Sequence, residues 1–266
     1  MSDYLLHRNA WRFGKTPHLE KHLGNDACRD LLRNGGMLVR NTFSFDQKSP
    51  SSFWHVIKKR EEPYNYSTRD RNKIRHALAA FRYDRITSET LREAGYRIIK
   101  ETYDDYAVRD RRMNKKIFLK YLNAFEEAEF DYWGIFDATT NELVGFSLVR
   151  CWEKACEYDI SGVLTRYKRN GTYPYYGLFH TMNGYYLNEK NFDYISDGTR
   201  SITEHSHIHD FLEQHFGFRK AYCQLEVHYQ WWMQIAVNLL YPFRKLMKTP
   251  RIKAILNMEA MQRGEK

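Results

Sequence analysis

The chain has 266 residues, 42% hydrophobic and 28% charged, and a formal net charge of +9. At about 100–200 residues per domain this is one large domain or two small ones, and 14 glycines with 6 prolines exclude collagen-like and low-complexity chains. No stretch approaches the roughly 18 apolar residues of a membrane span, while the positive charge favours anionic partners: nucleic acid, anionic lipid or a phosphate-bearing cosubstrate.

Asp3, His7 and Arg8 stand where a signal peptide needs an apolar run, so the expected location is cytoplasmic, at most peripheral to the inner face of the membrane. Cys28, Cys151, Cys156 and Cys223 lack paired spacing and read as reduced thiols. Residues 37–45 and 52–59, rich in aromatic and β-branched side chains, predict strands. Ile74, Leu78 and Phe81 fall at helical spacing behind Ser67 or Thr68 as a cap, and a second helix is expected from Ser88 to a stop at Gly95. Ile117, Phe118, Tyr121, Leu122 and Phe125 predict a helix face behind Asn114. Residues 131–137 and 142–150, joined by Ala138 to Asn141, read as a hairpin, and 155–165 as a third strand. Beyond the basic link 166–172, Pro174 opens a helix carrying Tyr175, Leu178, Phe179, Met182, Tyr185 and Tyr186. Residues 192–196 predict a strand. Next comes a helix capped by Ser206, with Ile208, Phe211, Leu212, His215 and Phe216 on one face, ended by Gly217. A last strand is expected over 221–229.

Charge is concentrated in two places. Residues 58–85 hold nine basic against four acidic side chains, and residues 241–266 hold seven against two. Arg71, Lys73 and Arg75, on the predicted helix behind Ser67, suit an RNA phosphate backbone. Residues 231–266 read as a basic amphipathic tail. Trp232, Ile235, Ala236, Leu239, Leu240, Phe243 and Met247 fall on one face, and Gln234, Asn238, Lys245 and Lys248 largely on the other. Such a tail suits either an anionic membrane surface or the protein's own core. His205, His207 and His209 are closely spaced, but two of them begin a helix and point different ways. No carboxylate or cysteine set accompanies them, so no metal is expected.

The strand and helix order from Tyr132 predicts an α+β fold: a mixed sheet with flanking helices, a small N-terminal lobe and a helical tail. The hairpin GIFDATTNELVGFSLV (134–149) and the junction FLEQHFGFRKAY (211–222) resemble the GNAT acyltransferase superfamily over roughly residues 100–230. STRDRNKIRHALAAF (67–81) and LREAGYRI (91–98) are similar to a segment of Fem-type (FemAB-like) transferases, which pass an amino acid from aminoacyl-tRNA to a cell-wall precursor. The resemblance implies an N-terminal lobe over 1–90, an acyltransferase domain over 91–230 and a tail over 231–266. It implies transfer of an acyl or aminoacyl group to an amine acceptor, such as an envelope or polysaccharide precursor, with acyl-CoA or aminoacyl-tRNA as donor. The superfamily's usual pyrophosphate loop is replaced here by residues 166–177. There Arg166, Lys168 and Arg169 supply charge, Gly171 and Gly177 close backbone approach, and Tyr175 a ring. Glu157, Asp159 and Asp197 are the candidate acid–base residues, since an attacking amine must lose a proton, and Tyr222 is a candidate acid. Alternation along a strand would point Glu157 and Asp159 the same way. The competing readings are a nucleic-acid-binding module and a membrane-docked scaffold on a degenerate fold.

Overall fold

A computed structural model describes residues 3–7, 9–105, 114–123, 129–168, 170–202 and 207–265. Arg8, Phe125, Arg169, His205, Ser206 and Lys266, to which roles or charges were assigned above, lie outside the described residues. In chain order come β1 (Tyr4–His7), β2 (Ala10–Phe13), α1 (Asn25–Arg33), β3 (Leu38–Gln47), β4 (Phe53–Lys59), α2 (Thr68–Ala80), β5 (Phe81–Ile86), α3 (Ser88–Asp104) and α4 (Lys115–Asn123). They are followed by β6 (Phe130–Asp137), β7 (Leu143–Cys151), β8 (Ala155–Val163), α5 (Thr165–Lys168), α6 (Pro174–Asn183), β9 (Tyr194–Thr199), α7 (His207–Phe216), β10 (Arg219–Tyr229), α8 (Trp231–Leu240) and α9 (Pro250–Gln262). The architecture is the expected α+β one, with mixed strand pairing and flanking helices.

The chain divides into two compact units: residues 1–56, 199–207 and 219–266 form one, and 57–198 with 208–218 the other. In the first unit the strand order is β1-β2-β3-β10. β2 runs parallel to β3, and β3 pairs antiparallel with β10 from Leu38↔Tyr229 to Thr42↔Leu225. The core of this unit joins Leu38, Phe53, Leu225 and Val227 to Met233 and Val237 of α8 and to Leu256, Met258 and Met261 of α9. The inner side of the tail is therefore part of a packed core.

The second unit has the order β9-β8-β7-β6-β5, antiparallel except for the parallel pair β8 and β9. α2 begins at a serine N-cap: the Ser67 hydroxyl accepts from Asp70 N at 3.1 Å and donates to the Asp70 carboxylate at 2.6 Å. This helix stops one residue before Phe81, which opens β5, a strand the helical spacing had hidden. α3 does not stop at Gly95. That residue is buried mid-helix, where a Cβ would meet the Phe118 ring at 3.1 Å, so its smallness lets α4 approach. Gly217 does end α7, at φ 71°, as a helix-terminating glycine should. The buried face of α7 consists of His209, Leu212 and Phe216, whereas Ile208 is exposed. Tyr186 is fully buried: its hydroxyl accepts from Trp133 Nε1 at 2.9 Å and donates to Asp131 at 2.9 Å. Among the described residues no helix is long and apolar enough to cross a membrane.

Candidate active site

The pairing of β8 with β9 covers Ala155↔Tyr194, Cys156↔Ile195 and Glu157↔Ser196 and then ends, although both strands continue. Parallel strands that part at their C-terminal ends create the kind of crevice in which open sheets bind ligands. Glu157 stands at the last paired position and Asp197 at the first residue beyond it. The Ser196 hydroxyl donates to Glu157 Oε2 at 3.4 Å and accepts from Gly198 N at 3.0 Å, which ties the two strand ends together.

The first turn of α7 brings His209 onto this point. Its Nε2 lies 3.0 Å from the Asp197 carbonyl oxygen and 3.3 Å from Asp197 Oδ2. A carbonyl oxygen can only accept, so Nε2 carries the hydrogen and Nδ1 is the unprotonated atom of a neutral imidazole. Burial holds His209 below the usual histidine value, against the opposing pull of the Asp197 carbonyl. Burial likewise pushes the Asp197 carboxyl well above the carboxylate range, and the charge of Glu157 adds to that rise. Both shifts run towards the uncharged forms, a carboxylic acid beside a neutral imidazole, with Glu157 next to the pair.

Asp159 departs from the expected arrangement. The register between β7 and β8 shifts between Leu148 and Val149, so that Val149 opposes Tyr158 and Leu148 opposes Ile160. Asp159 is the extra residue of a bulge, which breaks strict alternation. It is exposed and accepts from the Tyr121 hydroxyl on α4, whereas Glu157 is half-buried and held by Ser196. The two carboxylates take different hydroxyl partners. Tyr222 belongs to the other unit, on β10, edge-on to Trp54 at 6.1 Å.

In the donor segment the described charged side chains, Arg166 and Lys168, have partners within their unit. Arg166 pairs with Glu142, and Lys168 pairs with Asp105 at 3.2 Å. Gly171 has φ 76° and is exposed, with nothing described within 4 Å of where a Cβ would sit. Gly177 is buried for a different reason than phosphate approach: a Cβ there would lie 2.1 Å from the Tyr83 hydroxyl, so the missing side chain lets α6 seat on β5. Tyr175 stacks on Phe179 at 6.1 Å. The first turn of α6 has Pro174 at its start and no side-chain cap bond at Tyr173. Pro174 carries no N–H, and Tyr176 N donates to the Tyr173 carbonyl at 2.9 Å.

The three cations of α2 have different surroundings. Lys73 turns inward: its Nζ donates to the Tyr176 hydroxyl at 2.7 Å and lies 4.5 Å from that ring's centre. Arg71 donates to the Tyr66 carbonyl at 2.6 Å and Arg75 to Asn72 at 3.3 Å; both are exposed.

Sequence reasoning missed His209 as a partner of Asp197. The available signal was a histidine three positions before Leu212 on a helix that must bury one face.

Neither a protein-family model nor a curated protein matches the sequence. Solved structures do. FemX is 13% identical, with 76% of this chain covered, 67% of FemX covered, and a TM-score of 0.50. The C-terminal domain (DUF2156) of a putative lysylphosphatidylglycerol synthetase from Agrobacterium fabrum is 10% identical, with 73% of this chain and 66% of that one covered, at 0.46. A GCN5-related N-acetyltransferase from Sphaerobacter thermophilus is 11% identical, with 73% and 59% covered, at 0.42. The chain thus spans about two thirds or less of each of these structures. The likeness to FemX, the one of these three that reaches a TM-score of 0.50, is a likeness of fold.

Proposed function

We propose that the protein is an N-acyltransferase that moves an acyl or aminoacyl group from acyl-CoA or aminoacyl-tRNA to an amine acceptor, with the chemistry carried by residues 91–230. The observation that carries this reading is the parting of β8 and β9 beside Glu157, Asp197 and His209. A GNAT-like sheet supports it as context. The acceptor nitrogen attacks the thioester or ester carbonyl, the N–C bond forms and the C–S or C–O bond breaks. Glu157 takes the proton the nitrogen loses, and the leaving sulfur or oxygen is protonated in turn by that carboxyl group or by water. The Asp197–His209 pair, shifted by burial towards its uncharged form, positions the floor of the site and disfavours a second negative charge, which would otherwise hold the amine in its protonated form. The residues of the donor segment fit a phosphate-bearing donor at the uncapped first turn of α6, with Arg166, Lys168 and the exposed Gly171 preceding it.

The test is thermal unfolding of the chain against a panel of acyl-CoA thioesters and charged tRNA, followed by turnover with simple amines. A ligand that binds the folded state alone at a hundred times its Kd stabilises by about 2.7 kcal/mol. Neither donor raising the midpoint would end the acyl-transfer reading. A response to thioesters without a response to tRNA would remove the aminoacyl-tRNA donor. The substitution Arg166→Ala is expected to weaken donor binding at little cost in stability, because Arg166 is more than half exposed.

A further inference from the structure

α8 and the turn that follows it are apolar on two sides. The inner side, Met233, Val237 and Tyr241, is buried against β10 and α9. On the outer side Trp231, Ile235, Leu239, Phe243 and Leu246 recur at intervals of four, four, four and three residues, and all are exposed, Trp231 at 74% and Leu246 at 72%. Trp232 stands beside them, also exposed. A contiguous apolar stripe of this kind marks an interaction surface. The split between faces read from the sequence is corrected here: Leu240 and Met247 pack towards the core, and Trp231 and Leu246 join the outer stripe.

The charge around the stripe selects its occupant. Between Glu226 and Glu259 the chain has no acidic residue but carries Arg244, Lys245, Lys248, Arg251 and Lys253. Of these, Lys245, Lys248 and Arg251 are exposed. A second copy of the chain meeting this face would set like cations against each other. An anionic surface would gain from them, and adjacent tryptophans suit the boundary between headgroups and acyl chains. We propose that this outer face of residues 231–251 lies in the headgroup layer of an anionic lipid bilayer, while the inner face remains in the protein core. The proposal rests on neither the donor nor the chemistry of the transferase reading.

The experiment is co-sedimentation of the full chain with vesicles of phosphatidylcholine alone or mixed with phosphatidylglycerol, at low and at high salt. Two variants are compared: Ile235→Glu with Leu239→Glu and Phe243→Glu, and Lys245→Gln with Lys248→Gln and Arg251→Gln. Circular dichroism confirms that each is folded, since all six side chains are exposed. The chain is expected to partition onto the mixed vesicles and to remain in the supernatant with neutral ones. The apolar variant should lose binding, and the charge variant should weaken by about a hundredfold, at roughly fivefold per cation. Protein left in the supernatant with mixed vesicles at low salt overturns the proposal. So does unchanged binding of the folded apolar variant, or a dimer in light scattering that the apolar variant abolishes. Turnover with a soluble amine acceptor should be unaffected by either variant, so failure of docking is distinguishable from failure of the acyltransferase reading.

Discussion

Glu157, Asp197 and His209 each make a separable prediction. Glu157→Gln keeps the Ser196 hydrogen bond but cannot accept a proton, so turnover should fall by about 10²–10⁴ while donor-induced stabilisation persists, as read by kinetics beside thermal unfolding. Asp197 is raised by burial and by Glu157, so the folded state keeps its proton above about pH 4, where the unfolded chain has lost it. Stability therefore falls as pH rises through that window, and Asp197→Asn should be progressively more stable than the parent towards neutral pH. His209 is shifted the other way, so its contribution is lost as pH falls below about 6.5. His55 in the other unit follows the same rule more strongly. It is wholly buried, neither ring nitrogen has a hydrogen-bond partner among the described residues, and burial pushes it down to about 3. His55→Leu should raise the melting temperature more at pH 5 than at pH 8. At this scale alternation along the strand put Glu157 and Asp159 on one face. The sequence hid the bulge at Asp159, because a bulge is defined by the partner strand and leaves no mark on its own residues. The Asp197–His209 contact was equally hidden, since it depends on β9 running on to Thr199 and on α7 burying the 209 position.

Elements with a strong local pattern were readable: the hairpin of β6 and β7, the capped α2, and α7 with its glycine stop. β1, β2 and α1 were not, being short segments without a sustained apolar period. β5 was absorbed into the preceding helix because Phe81 happens to continue the spacing of Ile74 and Leu78. Gly95 and Gly177 misled in the same manner, as a stop and as a phosphate loop. Both are contacts: each removes a side chain where another element must come close. For Gly177 this is testable. Gly177→Ala should destabilise by about 1–3 kcal/mol in denaturant unfolding, since the added carbon would overlap the Tyr83 ring. Combining it with Tyr83→Ala should cost less than the sum of the two changes, a coupling that a ligand-binding role for Gly177 would not produce.

At the scale of the whole chain, the assignment of residues 199–207 and 219–266 to the unit that begins at the N-terminus had no local sequence signal. It depends on β3 meeting β10 across more than 170 residues of chain, a pairing set by two strands that each look ordinary alone. A chain ending at Gln230 would lack Met233, Val237, Leu256, Met258 and Met261 from the core built on Leu38 and Phe53. Such a truncation is expected to abolish the cooperative unfolding of that unit, and proteolysis should then cut within residues 1–56 while sparing 57–198. The same interleaving has a consequence for biosynthesis. As the polypeptide leaves the ribosome, residues 1–56 emerge with their apolar strands and without the partners that cover them, and they must wait until residues 219–262 have been made. The unit whose strands are mostly consecutive can close earlier. The nascent chain would thus mature from its middle outwards, carrying an unfinished N-terminal segment that a chaperone could hold until α9 arrives.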